Sequence, residues 1–353
     1  MNVYETGQKK RILKTAVLAT GLAVGLVGCG VGNAPAEQGP SEKGVVASVD
    51  VPLREPAWSE EEGVVLALQE DGQRLVRLDT GQSFDGTRDF PVTISDQIEA
   101  AAGENMALER GRTPGKIYLP KPERDQIAVA ENDSLLEVRT FAAGESPTRV
   151  ALGGTSTGLS SQTLYALSED GQTVSVVDLE DAGDVAAEVE VGASEDALIE
   201  ASGEDKFWLA GPEGVALYEG GPPELRGSLP LQAGSLAVDD ADPQRAYVGE
   251  TESGRLAAVE PGESGELNTA AETTLEAPAE YLTIDEGRLY AVTKNELVVL
   301  DSETLETIET VELGPLVAQE NLQEAEPSGV AVGEEDVYVT LRGEPYVLLI
   351  EKP

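Results

Sequence analysis

One phrase recurs along this chain: an apolar or aromatic run, a polar turn, and a second alternating run that ends in an acid. Residues 66–79, LALQEDGQRLVRLD, and 165–178, YALSEDGQTVSVVD, are close copies of it. The first run returns around Leu66, Tyr118, Tyr165, Trp208, Tyr247, Tyr290 and Tyr338, at intervals of 52, 47, 43, 39, 43 and 48 residues. A period of about 40 to 50 residues made of short strands predicts the blades of a β-propeller, because such a unit covers its apolar faces only against similar neighbours. In QEDGQ (69–73) and SEDGQ (168–172) the Asp-Gly pair supplies the positive φ of a tight hairpin between the two runs.

Two further runs complete each unit. Small apolar stretches such as SLAVDD (235–240), EYLTID (280–285) and SGVAVG (328–333) precede the central hairpin and suit an innermost strand crowded near an axis. Stretches that alternate charge with aliphatic, such as AAEVEVG (186–192) and TIETVELG (307–314), follow it and suit an outer edge, where charge blocks unwanted pairing. The seventh copy stops at PYVLLIEKP, without an outer strand, while VVASVDVPL (45–53) has the alternation of one and is followed by REPAWSEE, a candidate inner strand. The expected fold is therefore all-β: a seven-bladed propeller of four-stranded antiparallel blades over residues 45–353, closed by the N-terminal strand pairing with residues 345–351. A twin β-sandwich is the competing architecture, and it offers no reason for sevenfold recurrence.

Residues 1–28 read as an export signal: Lys9, Lys10, Arg11 and Lys14 precede the apolar run TAVLATGLAVGLVG, which is too short to span a bilayer as a helix. The run closes in Leu26, Val27, Gly28 and Cys29, the only cysteine. This resembles the lipobox of bacterial lipoproteins, which implies lipid on Cys29, cleavage before it, and a protein held on the outer side of the cytoplasmic membrane through that lipid only. Residues 29–44, small, polar and rich in Pro and Gly, read as a flexible tether. The segment PSGVAVGEEDVYVTLRGEPYVLLIE (327–351) resembles the blade of YVTN-type seven-bladed propellers, and YLTIDEGRLYAVTKNELVVLDSETLETIETVELGP (281–315) fits the same scheme. Blade two is the poorest match. The resemblance implies the fold and leaves ligand binding, scaffolding and catalysis open.

Composition narrows the chemistry. With 66 acidic against 24 basic residues the chain carries −42, which repels nucleic acid and anionic lipid. No histidine is present, so the commonest general base and metal ligand are missing; no cofactor or metal site is expected, and a carboxylate-only site for Ca²⁺ or Mg²⁺ is the alternative. The acidic loops DDADPQ (239–244) and ENDS (131–134) lack the spacing of a calcium loop. Against this background Arg110, Arg112, Lys116, Lys121 and Arg124 form a local positive island. Arg110, Arg112, Lys121 and Arg124 are the candidate residues for an anionic ligand or an acidic partner patch, and mutual neutralisation with neighbouring blades is the alternative.

Two stretches depart from blade regularity. Residues 92–115 carry about ten extra residues and are expected to hold a short helix capped by Ser95. Residues 317–327 form a second insertion, and both are expected on the face of the central hairpin turns. The expected function is a non-catalytic, monomeric module that binds a protein or small-molecule ligand on that face. The alternative is a lactonase- or hydrolase-like propeller enzyme using carboxylates and Arg at the channel mouth.

Overall fold

The computed structural model describes residues 44–80, 91–109, 115–153, 162–179, 184–203, 205–239, 242–318, 320–322 and 324–353. The chain divides into two units, Met1–Ser41 and Glu42–Pro353, and the described residues belong to the second. The leader, Cys29, nearly all of the 29–44 tether, Arg110 and Arg112 lie outside them. Among the described residues no helix is long and apolar enough to cross a membrane.

Among the described residues twenty-eight strands form seven antiparallel sheets of four. Six blades run in chain order from inner to outer strand, beginning with Leu53–Ser59, Val64–Gln69, Leu75–Asp79 and Val92–Ile94. The seventh takes Pro327–Val332, Asp336–Leu341 and Tyr346–Glu351 from the C-terminus and its outer strand, Gly44–Ser48, from the other end of the domain. Gly44 faces Ile350, Val46 faces Leu348 and Ser48 faces Tyr346, and the Val49 N–H adds a bond to Pro345 O at 2.9 Å. The closing strand is shorter than the alternation of 45–53 suggests. It ends at Ser48, Asp50 turns the chain with φ 65°, and Leu53 already begins the inner strand of blade one.

All seven anchors lie on second strands, and Leu66, Tyr118, Tyr165, Trp208, Tyr247, Tyr290 and Tyr338 are all buried. These strands read as continuous apolar runs because both of their faces are covered by adjacent blades. The core accordingly falls into seven clusters, one per seam, each drawing residues from two neighbouring blades. Seam seven–one is as well filled as the others, with Leu53, Val65 and Leu78 of blade one against Ala47, Tyr338, Val347 and Leu349 of blade seven. Outer strands such as Asp184–Glu190 half-bury alternate residues and expose the others, which is why their sequences alternate. In five blades a bulge sits between third and outer strand, for example at Val176/Val177 and Val299/Leu300. Such a bulge adds the local twist that lets flat sheets fan into blades.

The Asp-Gly hairpins adopt the expected geometry, with φ 68° at Gly72 and 69° at Gly171. Inter-blade connections cross the neighbouring hairpins: the Ala102 N–H bonds Gly72 O, the Ala193 N–H bonds Gly171 O, and the Leu313 N–H bonds Asn295 O. Both insertions thus lie on the hairpin face. The first contains no helix among its described residues. The Ser95 hydroxyl, expected to cap one, instead accepts from the Leu75 N–H at 2.9 Å and donates to Asp96 O. Ile98, Ala102 and Met106 turn inward and fill the seam between blades one and two, so packing rather than helix propensity decides the local backbone. The second insertion contributes a short helix, Gly314–Ala318, that seats Leu316 and Val317 in the seam between blades six and seven.

Candidate functional site

Blade two carries the predicted cations. Its second strand, Lys116–Lys121, leads through Pro122–Arg124 to the third strand, Gln126–Glu131. Lys121 is 2 % exposed, donates to Ala100 O of the first insertion at 2.6 Å and lies 3.8 Å from a Glu137 carboxylate oxygen. Burial lowers the pKa of this amine, against the pull of Glu137. Arg124 pairs with Glu99 at 2.9 Å, and Lys116 with Glu131 at 2.9 Å. Together Glu99, Lys121, Arg124, Glu137, Arg139 and Thr140 line an open pocket of about 280 Å³. Each described cation of the island therefore has a carboxylate neighbour. Lys121→Ala is expected to cost about 2 kcal/mol, the scale of a buried hydrogen bond to a charged group, while Arg124→Ala leaves stability unchanged; thermal melts of the two variants check this.

A second constellation lies where the inner strands of several blades meet at the mouth of the central channel, on the insertion-bearing face. Glu55 and Pro56 form a bulge in the inner strand of blade one, between the pairs Arg54–Leu68 and Ala57–Leu66. Glu55 has φ 48°, a left-handed conformation that costs a residue with a Cβ about 1 kcal/mol or more. Pro56 then packs against Gly329 of blade seven, where an added Cβ would stand 2.2 Å from the proline ring. The Arg54 guanidinium donates to three carbonyl oxygens, those of Glu70 (3.1 Å), Gly103 (2.7 Å) and Glu104. Glu104 in turn bonds Arg149 at 2.7 Å, and the Asn105 side chain bridges the N–H and C=O of Val150.

The end of the first insertion is in this way stitched to blade one and to the inner strand of blade three, Pro147–Gly153. Blade two's own inner strand is only the two residues Ala107–Leu108, and the stitched segment takes over much of its place.

Around this frame three groups face one another from different blades. Burial pushes the Glu55 carboxyl up to about 7, with Glu104 adding to the rise and Arg149 and Arg54 opposing it. Its side chain keeps partial exposure and makes no hydrogen bond among the described residues. Arg149 keeps its Nε–H buried and unpartnered. Tyr281, at the start of blade six's inner strand, Tyr281–Asp285, has a phenol whose pKa is raised by burial and then by Glu55, and its oxygen accepts from Arg342 at 3.4 Å. Arg342 also donates its backbone N–H to Glu326 O, at the end of the second insertion. The turns of blades seven and one meet beside it, where the Gly343 N–H reaches the Glu70 carboxylate at 3.2 Å.

The sequence placed neither Glu55 nor Arg149 in a site. The signal was present: in REPAWSEE and PTRVALG charged residues occupy inner-strand positions that other blades fill with small apolar ones, as in SGVAVG. Among the described residues no group of three acidic or sulfur ligands is placed to hold a metal ion.

Fold and mouth together define a closed seven-bladed β-propeller with an Arg-Glu-Tyr cluster at one end of its channel. Compared with known protein families and curated protein sequences, the chain matches none.

Proposed function

We propose that this is an exported, lipid-anchored propeller that binds a ligand or partner on its insertion-bearing face, at the outer side of the cytoplasmic membrane. The observation that carries the binding role is the convergence of both insertions on the channel mouth, where Glu55 and the Arg149 Nε–H lack partners. The lipobox-like LVGC ending in Cys29 supports the anchor, and the likeness of blades six and seven to YVTN-type blades supports a surface role. A hydrolase-like reading has one observation in its favour, a Glu55 carboxyl that titrates near neutrality and so suits general acid–base work.

Cys29→Ser is expected to move the protein from the membrane fraction to the soluble fraction of fractionated cells; unchanged fractionation would remove the anchor. Binding on this face is checked by capture of envelope components on the immobilised protein. Glu55→Arg, which fills the mouth, is expected to abolish capture, and equal capture by both forms would place binding elsewhere.

A further inference from the structure

The channel mouth combines a buried donor without an acceptor and a crowded carboxyl without a donor, on strands of different blades. Arg149 supplies the first, with its Nη2 already bonded to Glu104 and its Nε–H left over. Glu55 supplies the second. Buried polar groups are nearly always satisfied, and one that is not costs about 1 to 3 kcal/mol, so the buried Arg149 Nε–H and the partly exposed Glu55 carboxyl that no donor among the described residues reaches are complementary orphans that outline a missing partner. Nothing in the fold requires the pair, since blades one and three are already joined through Arg54, Glu104 and Asn105. The channel is open to that partner: every residue of the inner strand Tyr281–Asp285 is only partly buried.

We propose, on the basis of the binding reading above, that the mouth is a site for a neutral, hydroxyl-bearing ligand of the sugar or polyol class, one hydroxyl of which accepts from the Arg149 Nε–H and donates to Glu55, with the Tyr281 phenol facing it across the channel. A hydroxyl group is both acceptor and donor at a single oxygen, which is what these two orphans need.

Charge selects against the other ligand classes. An anion would approach a chain of −42 at a mouth whose Arg54 guanidinium already donates to three carbonyl oxygens and whose Arg149 already faces Glu104. Glu70, Glu280 and Glu326 stand close behind. A cation at Glu55 would meet Arg149 and Arg54 on the other side. A lone water could bridge the same two atoms, and a sugar hydroxyl would displace it while reproducing its bonds.

The groups facing Glu55 are Arg54 on its own strand, Glu104 from the insertion, Arg149 from blade three and Tyr281 from blade six, with Arg342 and Glu280 behind the phenol. Of these Glu55 is the one that changes charge near neutrality. A donating hydroxyl prefers the carboxylate, so protonation competes with binding and affinity falls as pH drops through about 7.

The test is ligand-observed NMR and calorimetric titration of the full chain in a zwitterionic, sugar-free detergent. The probes are glucose, galactose, N-acetylglucosamine, sucrose and inositol, at pH 6 and pH 8. At least one is expected to bind the wild type at pH 8 and about tenfold more weakly at pH 6, in proportion to the ionised fraction. Glu55→Gln, which keeps the shape, is expected to bind more weakly at pH 8 and to show no pH dependence. Absence of binding by all five at pH 8 would overturn the proposal, as would tighter binding at pH 6 or a Glu55→Gln profile identical to the wild type. If envelope capture survives while all five sugars fail, the binding module stands and only the hydroxyl ligand falls.

Discussion

A chain beginning at Val49 is expected to melt about 10 to 20 °C below one beginning at Glu42. The residues removed include the closing strand Gly44–Ser48, which pairs along its whole length with the third strand of blade seven. Val46 is 3 % exposed in the seam between blades six and seven, and Ala47 is fully buried in the seam between seven and one. Loss of both, together with uncovering of Leu348 and Ile350, removes about 5 kcal/mol or more of apolar burial. The truncated blade would also present an unpaired strand edge, so association should rise alongside the fall in melting temperature. Val46→Asp in the full chain places a carboxylate in the same seam and should act in the same direction without shortening the chain. Equal melting temperatures for the two truncations would mean that the ring does not depend on this strand. Closure also bears on the mouth: the Ser328 hydroxyl donates to Leu53 O at 2.7 Å, and Gly329 receives Pro56, so the seam between blades seven and one sets the bulge that carries Glu55.

What could be read from the sequence follows from how many neighbours each strand has. Second strands are covered on both faces, so Tyr165, Trp208 and Tyr290 stand in continuous apolar runs that can be aligned by eye. Outer strands are covered on one face, which makes their alternation visible, and the missing outer strand of the last copy points directly to Gly44–Ser48. The first insertion was less legible because its apolar residues, Ile98, Ala102 and Met106, are spaced by the shape of the seam they fill rather than by any helical period. The positive island could be seen as a charge count, but the partners that occupy it, Glu99 for Arg124 and Glu137 for Lys121, come from segments on either side of the cluster. The mouth was hardest to see. Glu55, Arg149 and Tyr281 belong to blades one, three and six, and only the closed circle brings them together.

Glu55→Gln is expected to make the protein more stable at pH 8, by up to about 3 kcal/mol, and to leave it unchanged near pH 4.5. The direction follows from the rise of the carboxyl from 4.5 in the unfolded chain to about 7 in the folded one. Between those values the folded state holds the proton more tightly, so the contribution of this one group is fully present below 4.5 and is lost as pH climbs through 7. Glutamine has no charge to desolvate and avoids the loss. Both proteins carry the same acidic surface, whose self-repulsion also grows with pH, so the difference between their melting curves isolates this one group. Paired melts from pH 4.5 to 8.5 should diverge steadily above pH 5. A variant less stable than the wild type at pH 8 would mean that attraction from Arg149 and Arg54 outweighs burial, and the carboxylate would then be a structural ion. In the expected outcome the ionised acid is a liability to the fold. A residue that destabilises its own channel, held in a left-handed backbone conformation with a neighbouring donor unpartnered, would then fit the ligand site proposed for this mouth.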